Sequence, residues 1–206
     1  MMNMKTALLS ALLMIPSFAI QADTEFTVGL DSDYFWRGVS QNAGNPSFNV
    51  RGHYENNGFY AGAWAGQVDL GNAAADWEYD LYGGYDLNLT DNFVLGAGVI
   101  QYNYDADIAD TEEIFVRGRV GHTRLAYYVN ADNRDQGYLE LHQGVPFINV
   151  VDMELGYGKH KDGDDFLSLS ASKNINEKLS VGVTVYDGVR HGKAMDSIVF
   201  STAFNF

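Results

Sequence analysis

The chain has 206 residues and no cysteine. It therefore has no disulfide framework and no thiolate metal site. Basic residues are few, with 13 Lys and Arg against 27 Asp and Glu, and the formal net charge is −14. That balance excludes nucleic acid as a partner, because phosphate binding needs a basic face. Beyond residue 22 no apolar run approaches the ~20 residues a spanning helix needs. Proline is scarce as well: of three in the chain, only Pro46 and Pro146 lie beyond the first 22 residues.

What is present begins with "MMNMKTALLSALLMIPSFAIQAD". Lys5 is the single charge before Asp23, and an apolar run from Ala7 to Ile20 follows, with Ser17, Ala19 and Ala22 as small residues near its end. A basic start, a short apolar core and a small-residue site are the layout of a secretory signal. We expect residues 1–22 to be a cleaved signal peptide and residues 23–206 to be the exported domain. Removing Lys5 with it moves the charge from −14 to about −15.

Alternation with period two runs through the rest, in a background of 22 Gly and 13 Tyr. In "KLSVGVTVYDG", Leu179, Val181, Val183 and Val185 fall on one face and Ser180, Gly182, Thr184 and Tyr186 on the other. "DFLSLSASKN", "VVDMELGYGK" and "DWEYDLYGGYDLN" behave alike, and helical spacing fits none of them. About twelve strands are predicted, near 24–37, 46–56, 58–70, 76–88, 92–105, 112–121, 123–132, 137–146, 148–160, 164–174, 178–188 and 195–206. Tight connections such as "NNG" and "LTDN" alternate with longer, mostly acidic ones such as "DADIADTEE" and "KHKDGDD".

Two architectures fit alternating strands. A soluble barrel or sandwich buries its apolar face, whereas a membrane barrel turns that face to lipid and keeps a polar lumen. The strands are long enough to cross a bilayer, for which about 9–11 tilted residues suffice. Strand number is even, and tight and long connections alternate, as in bacterial barrels with both termini on the periplasmic side. The polar face carries charges of both signs. Phe26, Tyr34, Trp36, Phe48, Trp77, Phe93, Phe204 and Phe206 gather near strand ends on the apolar face, like interfacial girdles. We therefore expect an all-β fold, a transmembrane antiparallel up-and-down β-barrel of about twelve strands.

The stretch "SDYFWRGVSQ", Ser32 to Gln41, resembles an opening motif of the TorF-type family of outer-membrane porins from proteobacteria. "NPSFNVRGHYENNGFYAGAWAGQVDL", "WEYDLYGGYDLNL" and "GAGVIQYNYD" match the family in order, so the resemblance covers residues 26–105 best. "AGQVDL" stands where the family tends to have Ser-Asn-Val, and Tyr104 is followed by Asp105 where proline is frequent. The resemblance implies an outer-membrane barrel with a channel role and carries over no substrate and no functional residues. Read by alternation alone, Asp31, Asp33, Phe35 and Arg37 point to the lumen, while Ser32, Tyr34 and Trp36 face lipid, with Trp36 in an outer girdle. Arg37, near acids, would anchor the first loop by charge-assisted hydrogen bonds.

Pore-lining candidates on the polar face are Arg37, Arg51, His53, Asp80, Arg117, Arg119, Arg124, Glu140, Asp152 and Glu154. Arginines facing carboxylates would set a transverse field that selects solutes by charge; the competing reading is a salt-bridged lumen that is mostly filled, since about twelve strands lie between the filled eight and the open sixteen. The loop acids Asp105, Asp107, Asp110, Glu112, Glu113, Asp162, Asp164 and Asp165 match no defined calcium loop and read as solvated surface. No metal and no cofactor are expected. Of the five histidines, none lies beside a Gly-x-Ser-x-Gly elbow, so no enzyme is expected.

The expected function is passive diffusion of small solutes through a narrow polar lumen, with mild cation preference because acidic loops disfavour anions at the mouth. The alternatives are a structural or adhesin-like barrel with a filled lumen, and a secreted soluble barrel binding an apolar ligand. The chain ends "SIVFSTAFNF". This reads as a closing strand, with Phe204 and Phe206 as the assembly signal presented to the barrel assembly machinery. Other expected partners are outer-membrane lipid, lipopolysaccharide and the small solutes themselves, after export through the periplasm.

Overall fold

A computed structural model describes residues 23–71, 75–108, 110–146, 150–190 and 193–206, without the side chains of Arg190, Lys193 and Ala194. The expected signal peptide lies outside these residues. Among the described residues fifteen strands are formed: β1 Asp23–Asp31, β2 Phe35–Trp36, β3 Val39–Ser40, β4 Ser47–Asn56, β5 Phe59–Gln67, β6 Trp77–Thr90, β7 Phe93–Tyr104, β8 Thr111–Val120, β9 Thr123–Asn130, β10 Gly137–Gly144, β11 Asp152–His160, β12 Asp165–Asn174, β13 Leu179–Arg190, β14 Lys193–Ala194 and β15 Ser197–Asn205. Twelve of them form a barrel in the order β12-β11-β10-β9-β8-β7-β6-β5-β4-β1-β15-β13, and the β12–β13 pairing closes the ring. Neighbours in the ring are antiparallel throughout.

Closure satisfies the backbone groups that an open sheet would leave at its edges. The last strand meets the first in register, Thr27 opposite Asn205 and Asp31 opposite Ser201. At the end of the chain the Phe206 amide donates to the Phe26 carbonyl (3.0 Å), and the two rings lie 5.6 Å apart. The expected closing role of the final segment is thus what the fold contains.

Side-chain direction follows the alternation. Leu30, Phe59, Leu87, Ile114, Val116, Leu155, Leu167, Ile198 and Phe200 are exposed on the outside, where a soluble protein would not place a continuous apolar band. Glu78, Asp80, Glu113, Tyr60, Tyr102, Phe115 and Tyr138 are buried, and all point inward. The arrangement is that of a membrane-spanning barrel, apolar outside and polar within. Among the described residues no helix is long and apolar enough to cross a membrane.

The connections define two ends. At the tight-turn end, Asn57 and Gly58 (φ 50° and 83°) join β4 to β5, a two-residue turn whose positive φ at both positions matches the twist of the flanking strands. The chain termini of the barrel lie at this end too. At the other end the loops are longer, and the first of them, residues 32–46, does not stay outside.

The candidate channel

β1 stops at Asp31, six residues before the predicted end of the first strand. Ser32 still joins the wall, donating its amide to Phe200 O (2.8 Å) and accepting the Phe200 amide on its hydroxyl (2.9 Å). From there the chain turns inward. β2 and β3 pair as a small hairpin, Phe35 opposite Ser40 and Trp36 opposite Val39. Arg37 and Gly38 form its tip with φ of 50° and 77°. A two-residue turn of this kind needs positive φ at both positions, and glycine supplies it at no steric cost. At its base Asp33, buried, accepts the Ser40 hydroxyl (2.9 Å), and Gln41 donates its amide to Tyr34 O (2.7 Å).

The hairpin reaches walls on opposite sides of the lumen. Phe35 stacks on Tyr186 of β13 (centroids 4.8 Å apart), Tyr34 lies against Trp64 of β5 (5.0 Å) and Trp36 meets Tyr102 of β7 edge-on (5.6 Å). The Arg37 guanidinium donates two hydrogen bonds to Glu113 of β8, at 2.8 and 2.6 Å, and lies 4.8 and 4.1 Å from the ring centres of Tyr128 and Tyr138. Both charged side chains are nearly sealed from solvent, at 7% and 10% exposed. Burial is the largest influence and opposes the arginine's charge, but the bonds to Glu113 together with the charge of Glu113 and the nearby Tyr102 and Tyr138 outweigh it and hold the Arg37 pKa above its ordinary value.

This corrects two sequence expectations. Tyr34 and Trp36 are inside the barrel rather than in a lipid-facing girdle, because the alternation rule applies only while a segment stays in the sheet. Glu113 belongs to β8 and is buried, so it is not a solvated loop acid. Its side chain follows the inward series Glu113, Phe115, Arg117, Arg119, which could have placed it. Arg37 does anchor the first loop, as its chemistry suggested, with a partner 76 residues away.

Trp36 and Arg37 line cavities above and below the hairpin. On the long-loop side one cavity of about 580 Å³ runs between the hairpin, Asp69, Asp162 and Asp164. Beneath lies another, about 630 Å³, among Asp31, Asp80, Trp64, Tyr128, Glu140 and Tyr186. The hairpin therefore lies between two cavities inside the barrel.

The remaining candidates lie on the inward face, Asp80 and Glu140 beside the cavity beneath the hairpin and the others elsewhere along the lumen. Arg117 donates to Asp86 (3.0 and 2.6 Å) and lies over Tyr60. Arg124 donates to Glu154 (2.6 Å), whose other oxygen meets His142 Nδ1 (2.8 Å). Glu140 accepts the Tyr128 hydroxyl (2.9 Å). Arg51 reaches Tyr82 (3.0 Å) and Glu25 (3.4 Å), and His53 Nδ1 meets the same Tyr82 hydroxyl (3.1 Å). Arg119 sits directly opposite Arg124 across β8 and β9, a like-charge pair that costs stability. Asp152 shares the inward face, opposite Ser172. Asp80 is buried, and its Oδ1 has no hydrogen-bond partner. Sequence reading missed the aromatic lining, Trp64, Tyr102, Tyr128, Tyr138 and Phe166, although each falls on an inward position of its strand. Among the described residues no group of three or more His, Asp or Glu is placed to hold a metal ion.

Comparison with known proteins follows from this geometry. A family model described as "Bacterial protein of unknown function (Gcw_chp)" matches residues 21–194. No curated protein matches the sequence. Among solved structures the barrel is similar to the KdgM porin, with TM-score 0.63 and 10% identity over 90% of this chain and 99% of that one. It is also similar to the KdgM porin in complex with disordered oligogalacturonate, with TM-score 0.61 and 11% identity over 90% and 99%. A third similarity is to an active-site mutant of outer membrane phospholipase A from Escherichia coli, with TM-score 0.53 and 12% identity over 95% and 96%. At such identities the likeness is one of fold, shared by channels and an enzyme alike.

Proposed function

The chain belongs to the Gcw_chp family of bacterial proteins, and from that premise we propose that it is an outer-membrane channel for passive diffusion of small polar solutes, narrowed by its first loop. The observation that carries this reading is the pair of cavities, about 580 and 630 Å³, on the two sides of the Arg37 hairpin inside a barrel with an apolar exterior. A lumen built only to be filled would not need charged and hydroxylated walls facing free volume on both sides of a constriction. The TorF-type resemblance of residues 26–105 and the fold shared with the KdgM porin support the same reading.

In this reading the long loops face outward from the cell and the termini face the periplasm, which the protein crosses on export. Lipid and lipopolysaccharide surround the apolar band, and the barrel assembly machinery inserts the chain through its terminal Phe204 and Phe206. The outer cavity is lined by Asp69, Asp162, Asp164 and Asp165, and the net charge is −14, so cations are mildly favoured at entry. Arg51, Arg117, Arg119 and Arg124 temper that preference further in. No step of catalysis is needed.

Planar-bilayer recording of the purified barrel tests this. Discrete conductance steps, with a reversal potential of cation-selective sign in a salt gradient, are expected. Clear anion selectivity would refute the charge preference. A correctly folded barrel without any conductance would refute the channel and favour the second reading, a structural or adhesin-like barrel, which the hairpin's many wall contacts support.

A further inference from the structure

We infer that the cavity beneath the hairpin is a binding site for a small organic cation carrying a primary ammonium, with Asp80 as its anchoring carboxylate. Asp80 is 8% exposed, yet its Oδ1 makes no hydrogen bond. A buried polar atom normally has a partner, and a buried carboxylate oxygen without one is costly. Glu78, two residues earlier on the same inward face, is only 2% exposed and receives the Tyr104 hydroxyl at 3.4 Å. Two acids thus sit side by side in β6, hydrogen-bonded to each other, with Asp80 Oδ1 left over and no cation bonded to either among the described residues.

The cavity supplies what such a ligand would need. Its volume of about 630 Å³ lies within the range of small-molecule sites, about 300–1,000 Å³. Asp31, Asp33 and Glu140 line it together with Asp80. The arginine that also reaches it, Arg37, is already matched by Glu113 at 2.6 Å, and His142 lies between Glu154 at 2.8 Å and Glu140 at 3.9 Å, so Glu140 is partly matched while Asp31, Asp33 and Asp80 have no basic partner among the described residues. Carboxylate is therefore in excess. Trp64 stands directly opposite Asp80 across β5 and β6 and is covered by Tyr34 at 5.0 Å. An aromatic face beside an unmatched carboxylate suits an ammonium group, which gains both a charge-assisted hydrogen bond and a cation–π contact. A neutral polyol would take the hydrogen bond and leave the excess charge unmatched.

The inference deepens the channel reading by naming a solute class, and its test is arranged to separate the two. Isothermal titration of the detergent-folded barrel uses 1,4-diaminobutane as probe and 1,4-butanediol as its uncharged counterpart. Saturable binding of the diamine, with much weaker heat from the diol, is expected. Asp80→Asn should weaken diamine binding by roughly tenfold or more, the usual effect of losing a hydrogen bond to a charged group. Trp64→Leu should weaken it too, and that variant decides the matter if Asp80→Asn fails to give the heat-modifiable band of a folded barrel. Asp91→Asn, in the exposed turn between β6 and β7, should leave it unchanged. Equal binding of diol and diamine, no binding of either, or wild-type affinity in folded Asp80→Asn and Trp64→Leu would overturn the site. Conductance is recorded on the same preparations. A barrel that conducts but does not bind refutes the site alone, and one that binds but does not conduct refutes the channel alone.

Discussion

Arg37, at the tip of a hairpin folded into the barrel, is held by two hydrogen bonds to Glu113 on the wall, at 2.8 and 2.6 Å. The pair joins the first loop to β8 between the two cavities. Removing one partner of a buried ion pair leaves the other charged and uncompensated, a cost of about 3–5 kcal/mol. We expect Glu113→Gln and Arg37→Ala to release the hairpin, raising single-channel conductance and current noise. The double exchange Arg37→Glu with Glu113→Arg should recover part of the wild-type conductance. Singles that conduct like wild type would show that the pair does not set the constriction.

Phe206 is 67% exposed, yet its amide is bonded to Phe26 and its ring packs against Phe26 and Phe204, 5.6 and 4.9 Å away. It therefore completes the seam where the last strand meets the first. Deleting Phe206 should reduce the fraction of chain that reaches the folded, heat-modifiable form in the outer membrane. A deletion variant that assembles at the wild-type level would remove the assembly role assigned to this residue.

The barrel was readable because period-two alternation is imposed twice, by the pleat of each strand and by the opposite demands of lipid and lumen. The predicted strand 92–105 is β7 Phe93–Tyr104, and 164–174 is β12 Asp165–Asn174. The hairpin was not readable in that way. Asp31 to Arg37 read as a continuation of the wall strand, with Asp31, Asp33, Phe35 and Arg37 on one face and Ser32, Tyr34 and Trp36 on the other, so the exit from the sheet after Asp31 is not marked by alternation. What marks it is chemistry at a distance: Tyr186, Tyr102 and Glu113 wait on walls that come later in the chain. The Arg37-Gly38 turn was the one local clue, since Gly38 permits the positive φ that ends β2.

That turn gives a further prediction. At Gly38, with φ of 77°, an added Cβ would lie 2.6 Å from the Phe166 ring of β12. A side chain there is disfavoured by backbone conformation and by the wall at once. Gly38→Ala should shift the hairpin away from β12 while the barrel still folds. The readout is a changed conductance with an unchanged heat-modifiable band. A conductance identical to wild type would mean that the hairpin tip tolerates displacement without effect on the path.

Arg119 faces Arg124 across β8 and β9, and among the described residues Arg119 has neither a hydrogen bond nor an ion pair. Arg124 is already engaged by Glu154 at 2.6 Å. In the channel reading proposed above, this unmatched charge acts on passing ions. Arg119→Glu turns a like-charge pair into an opposite one, worth at most about 0.2–1 kcal/mol across a strand pair, and its side chain lies at the exposed end of the lumen, where solvent screens it further. Thermal stability should hardly change. Selectivity should change much more, because the substitution shifts the lumen charge by two units near the exit. The reversal potential in a salt gradient should move toward the cation value. If it does not move while the channel still conducts, ions do not pass within reach of Arg119, and the path lies along another part of the wall.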